Sequence, residues 1–79
     1  MDTYNRLISV CNAVFDGEID LNGVTPESDL KNDIGINSIG LLYMALALEE
    51  EFKIKFTNDD FIHIQTVKDV VDIIEKKVG

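Results

Sequence analysis

The stretch Gly35-Ile36-Asn37-Ser38-Ile39-Gly40-Leu41-Leu42-Tyr43-Met44-Ala45-Leu46-Ala47-Leu48-Glu49-Glu50-Glu51-Phe52 decides how this chain folds. From Ser38 onward it is rich in good helix formers and closes on three consecutive glutamates, which predicts a helix over 38–52. Two apolar stripes run along it. Leu41, Ala45, Leu48 and Phe52 are spaced four, three and four apart, whereas Ile39, Leu42 and Leu46 are three and four apart and fall on a different face. A short bundle can hardly bury both, so the first stripe is expected in the core and the second at a surface where something else meets it.

Upstream, Tyr4, Leu7, Ile8, Cys11, Val14 and Phe15 keep the i, i+3, i+4, i+7 rhythm of an amphipathic helix capped by Asp2 or Thr3 and ending near Asp16 or Gly17. Cys11 sits on the apolar stripe and is expected to be a buried, inert thiol. Residues 17–37 show no sustained period, contain Gly17, Gly23, Pro26 and Gly35, and read as one long connection. Its Ile19, Leu21, Val24, Leu30 and Ile34 should pin it to the core. A loop of that length in so small a domain is uncommon unless it has a task.

Downstream, Lys53-Ile54-Lys55-Phe56-Thr57-Asn58 alternates charged and apolar residues, as a brief extended connection would with Ile54 and Phe56 turned inward. Asp59 to Ile64 is long enough for one or two helical turns. Thr66-Val67-Lys68-Asp69 resembles a capping box with Asp in place of Glu, and Val67, Val70, Val71, Ile74 and Val78 make a last helical stripe. Lys76 and Lys77 fall in its final turn, where cations suit the helix dipole. The expected fold is all-α: a small four-helix bundle of three main helices and one short one, with a long loop between the first and second. The 79 residues are expected to form one domain.

Fifteen acidic residues against seven basic ones give a net charge of -8. Nucleic acid is excluded as a partner, because phosphate recognition needs clustered Lys and Arg. A strongly negative small domain suits steered encounters with basic patches on other proteins, or simply stays soluble. With one cysteine and one histidine the chain offers neither a disulfide nor a structural metal site. The N-terminal residues lack the pattern of a signal peptide, and no apolar run could span a bilayer. A monomer in the reducing cytoplasm is the expectation.

Ser38 stands where the long loop meets the apolar helix, next to a glycine that permits a tight turn. Free N–H groups at a helix start favour an anion through hydrogen bonds and the dipole. The plainer reading is that Asn37 or Ser38 only caps the helix. Gly-Ile-Asn-Ser-Ile followed by a helix ending Leu-Glu-Glu-Glu-Phe closely resembles the acyl carrier proteins, whose signature is Gly-x-Asp-Ser-Leu followed by an apolar-acidic helix. The likeness covers nearly the whole chain, including the long first loop, the Phe56 segment and the Thr66-Val67 start of the last helix.

That resemblance implies that Ser38 receives phosphopantetheine from coenzyme A, that the fold is the right-handed four-helix bundle of the family, and that the chain is a non-catalytic carrier of acyl thioesters. The implied partners are a phosphopantetheinyl transferase and acyl-loading and acyl-processing enzymes with basic or apolar docking patches, in fatty-acid or polyketide-like biosynthesis. An aminoacyl or peptidyl carrier shares the fold and stays open. Asn37, Ile39, Leu42, Tyr43, Leu46, Glu49 and Glu50 would form the surface beside the arm. Three departures remove negative charge there: Asn37 replaces the usual aspartate, and Gly40 and Tyr43 replace acidic residues. The expectation is a specialised or second carrier whose partners lean on Tyr43 and apolar contact more than on salt bridges.

Other chemistries fit less well. Gly35-Ile36-Asn37-Ser38-Ile39-Gly40 has its first glycine one residue too early for the G-x-S-x-G elbow, and His63, the sole histidine, has no assignable acid partner. Glu18, Asp20, Asn22, Gly23 and Asp29 fall at EF-hand positions, but the first ligand is Glu, the last is Asp, and no convincing exiting helix follows. From another class, an acidic bundle with Ser38 unmodified could dock a partner through its Ile39/Leu42/Leu46 stripe.

Overall fold

The computed structural model describes residues 3–16, 21 and 23–78. Four α-helices follow one another: α1 (Thr3–Phe15), α2 (Ser38–Phe52), α3 (Asn58–His63) and α4 (Val67–Val78). Helix α1 lies against both α2 and α4. Its Leu7 and Cys11 are buried, and Tyr4, Ile8 and Phe15 pack at the margin of the same core. Asp16 follows in the left-handed region at φ 46°, a conformation that Asp tolerates better than most residues, and this stops the helix. The Asp2 cap, the Gly17 terminus and the anchoring role of Ile19 lie outside the described residues.

The connection before α2 is not wholly irregular. Leu30–Ile34 forms a single π-type helical turn. Asp29 starts it, its Oδ1 accepting from the Lys31 and Asn32 N–H groups at 2.9 and 2.8 Å. Gly35 ends it at φ 91°, a value that needs glycine, with its N–H donating to the Leu30 carbonyl. Leu30 and Ile34 are both buried. Five residues are too few to show a period, and so the sequence reads here as loop.

The rest of the connection closes the start of α4. The Ser28 and Pro26 carbonyls accept from the Val67 and Lys68 N–H groups at 3.1 and 2.8 Å, and Asp29 and Thr66 form an isolated β-bridge. The expected Thr66/Asp69 box is present, with Asp69 Oδ2 accepting from the Thr66 N–H at 3.0 Å and Thr66 Oγ1 from the Asp69 N–H at 3.3 Å. The donors that a helix start leaves unpaired are thus satisfied from two directions. At the other end of the loop the Tyr4 hydroxyl donates to the Val24 carbonyl at 3.0 Å, and Val24 and Leu21 rest on the core.

Past α2, Lys53 turns the chain at φ 59°, Ile54 is buried, and Phe56 is half-buried beside Phe61, ring centroids 6.0 Å apart. A second capping box, Thr57 with Asp60, starts α3. Val67, Val70 and Ile74 of α4 are buried, but Val78 is exposed because the helix outruns the bundle.

Candidate phosphopantetheine site and docking face

Helix α2 carries the site, and its two faces part as its sequence requires. Ala45, Leu48 and Phe52 are buried and Leu41 is half-buried. Met44 joins them at 1% exposure, which the four-three-four stripe does not anticipate. It lies between Leu41 and Leu48, three and four residues from them, and its sulfur meets the Cys11 Sγ at 3.3 Å, where α1 crosses. On the opposite face Ile39, Leu42, Tyr43 and Leu46 are 66%, 51%, 60% and 52% exposed, a strip of apolar and aromatic surface beginning one residue after Ser38.

The helix start is built so that the serine is spared. Asn37 is the cap, in extended conformation, and its Oδ1 accepts from the Gly40 N–H at 2.7 Å. Its carbonyl accepts from the Leu41 N–H at 2.8 Å. Ser38 is therefore the first helical residue, exposed, with its hydroxyl outside the cap. Helical geometry leaves the Ser38 and Ile39 N–H groups without acceptors in their own helix. A recess of about 320 Å³ bordered by Lys31, Gly35, Ile36, Asn37 and Ser38 adjoins the hydroxyl. A phosphodiester there would meet the positive end of α2 and the Lys31 ammonium, so the residues present fit a phosphate-bearing group.

The described residues that suggest other chemistries lie away from the recess beside Ser38. Burial pushes the Cys11 thiol up to about 12, so it does not ionise near neutrality and carries no thioester of its own. His63 is bound to its own helix, Nδ1 lying 2.8 Å from the Asp59 carbonyl oxygen, and takes no part in the recess beside Ser38. Of the EF-hand positions, Glu18, Asp20 and Asn22 lie outside the described residues. Asp29 is committed to capping the π-turn, and the N–H groups it accepts hold its carboxyl below the usual range. Among the described residues no group of His, Cys, Asp and Glu could hold a metal ion.

The three glutamates at the end of α2 do not make one acidic patch. Glu49 Oε2 accepts from the Phe56 N–H at 2.6 Å and secures the chain after the helix. Glu51 pairs with Arg6 at 2.9 Å, and the Arg6 guanidinium lies 4.3 Å over the Phe52 ring. Glu50 stays on the exposed side. Beyond α2, Asp60 pairs with Lys77 at 3.0 Å.

The family model for a phosphopantetheine attachment site matches residues 7–74, a range that takes in all of α2 and α3 and most of α1 and α4. The chain belongs to the acyl carrier protein family. An acyl carrier protein of Helicobacter hepaticus is 37% identical over 75 residues, covering 95% of this chain and 96% of that one. One of Coprothermobacter proteolyticus is 46% identical over 55 residues, 70% of this chain and 67% of the relative. A solved Mycobacterium tuberculosis structure, described as a candidate acyl carrier protein, superposes with a TM-score of 0.82 at 24% identity over 94% of this chain and 96% of its own. At that identity the superposition speaks for the fold alone. Family membership makes the chain a non-catalytic carrier whose prosthetic group is covalently attached phosphopantetheine. Among the described residues no helix is long and apolar enough to cross a membrane.

Proposed function

We propose that Ser38 is the residue esterified by phosphopantetheine, and that this single-domain carrier delivers acyl thioesters to a dedicated set of fatty-acid or polyketide-type enzymes as a cytoplasmic monomer. The observation that carries the first part is the division of labour at the start of α2: Asn37 caps, and Ser38 stands exposed beside Lys31 and unpaired N–H groups. The attached group supplies a flexible, thiol-ended arm that holds acyl groups as thioesters. What the chain adds is a fixed anchor and a recognisable face, which raises the effective concentration of cargo for each enzyme that docks. Tandem mass spectrometry of the tryptic peptide 32–53 from loaded protein should place the added mass on Ser38, the sole serine there; a label on Tyr43 would contradict the assignment.

The second part rests on the exposed strip Ile39, Leu42, Tyr43 and Leu46, with Glu49 and Glu51 engaged internally. A loading transferase and acyl-processing enzymes would find beside Ser38 an apolar, aromatic surface edged by Glu50, with Asn37 uncharged. Apolar complementarity then sets affinity, and the net charge of -8 mainly speeds encounter. Offered to the condensing and reducing enzymes of general fatty-acid synthesis, the acylated chain should turn over poorly; efficient turnover would contradict the specialised role.

A further inference from the structure

Basic residues are few in this chain, and three of the seven are already paired: Arg6 with Glu51, Lys68 with Asp72 and Lys77 with Asp60. Lys53 and Lys55 are exposed and form no ion pair among the described residues. They stand together just past the end of α2, on backbone that is firmly held. The Lys53 N–H donates to the Glu49 carbonyl, the Ile54 N–H to the same oxygen at 3.1 Å, and the Phe56 N–H to Glu49 Oε2 at 2.6 Å. Ile54 is buried and Phe56 half-buried, so exposure alternates along 53–56 and leaves both lysines outward.

A shallow groove of about 570 Å³ lies here, bordered by Leu46, Glu49, Glu50, Lys53, Ile54 and Lys55. Leu46 is also the last residue of the exposed strip on α2, so groove and strip are one continuous surface. The charges of the groove cancel in number but not in position. Glu49 is half-buried and turned to the Phe56 N–H, which leaves Glu50 beside two unpaired ammonium groups.

We infer that Lys53 and Lys55 form the end of the docking surface that takes a carboxylate of the partner enzyme, and that they turn away enzymes whose patch is basic throughout. This rests on the exposed strip as the docking face of a specialised carrier. The whole chain, at net charge -8, draws basic surfaces from a distance, but charges in contact are read within about 8 Å at physiological ionic strength. An enzyme that brings Arg or Lys to the Leu46 end meets like charge, whereas one that brings Asp or Glu finds two donors. Discrimination of this kind comes as much from repelling the wrong partner as from holding the right one.

The test offers the octanoyl-loaded chain to a condensing enzyme of general fatty-acid synthesis whose docking patch is basic, once intact mass has shown that one arm is gained. Lys53→Glu and Lys55→Glu should each raise kcat/KM about five- to tenfold, an effect that fades in high salt. Lys76→Glu, at an exposed position of α4 outside the groove, makes the same change in net charge and should leave kcat/KM within about twofold. Thermal melting checks that each variant is folded, and Lys55 lies outside any helix, so Lys55→Glu decides the outcome where Lys53→Glu disturbs the end of α2. With each basic residue of the enzyme's patch changed to Glu in turn, one change should improve turnover of the parent and impair that of Lys55→Glu. Poor turnover of the parent that neither Lys53→Glu nor Lys55→Glu improves, a gain equalled by Lys76→Glu, or a patch with no such residue would overturn the Lys53/Lys55 contact and leave the specialised role standing. Efficient turnover of the parent would overturn the specialised role and this inference with it.

Discussion

The two faces of α2 have nearly the same apolar content and opposite fates. Met44, Ala45, Leu48 and Phe52 are buried in the core, on the helix that α1 packs against, while Ile39, Leu42, Tyr43 and Leu46, interleaved with them in sequence, remain more than half exposed. A monomer gains nothing from holding a strip of Ile, Leu and Tyr in water, and a strip of this kind marks a surface that other molecules cover. The inner face holds the bundle together, and the proposed function assigns the outer face to the carrier's partners.

The sharpest way to break that comparison is to truncate one leucine on each face. Leu48→Ala, at 0% exposure, should cost about 2–5 kcal/mol in urea denaturation, enough to unfold much of so small a domain. Leu42→Ala should change stability by no more than ~0.5 kcal/mol while slowing loading of Ser38 by the transferase. Equal stability losses at the two sites would mean that the outer face is structural.

Asn37 joins the faces at the helix start. Asn37→Ala removes the acceptor of the Gly40 N–H and should cost about 1 kcal/mol in thermal denaturation. Asn37→Asp keeps an acceptor and adds a negative charge at the positive end of α2, so it should gain about 0.3–1 kcal/mol. If both variants melt like the parent, the cap is not what defines the first turn beside Ser38.

The smallest effect lies away from α2. The Thr57 N–H and the Lys77 ammonium hold the Asp60 carboxyl below the usual carboxylate range. A carboxyl lowered in the folded state stabilises it wherever the group is ionised, and that contribution is lost as pH falls below about 4. Asp60→Asn should therefore flatten the acid end of the stability profile while leaving loading unchanged. An acid profile identical to the parent's would remove Asp60 from the account of α3 and α4.

The helices were legible where apolar spacing persists over three turns or more: α1, α2 and α4 lie where their stripes predict, and the Thr66/Asp69 box where its four residues predict. The division of α2 into buried and exposed faces was equally readable. Met44 was missed because the crossing of α1, and not the stripe itself, decides how far round the helix burial extends. The π-turn at Leu30–Ile34 was missed because its two signals, the Asp29 cap and the left-handed Gly35, also describe an ordinary loop. Glu49, Glu51 and Asp60 look like free charge in the sequence, since their partners Phe56, Arg6 and Lys77 are brought to them by folding.

The most direct test of the account is intact-mass spectrometry of the parent and of Ser38→Ala after incubation with coenzyme A and a broad-specificity phosphopantetheinyl transferase. A gain of one phosphopantetheine on the parent and none on the folded variant is the predicted result. No gain on a folded parent, or an equal gain on Ser38→Ala, would contradict the assignment of Ser38 as the carrier's anchor.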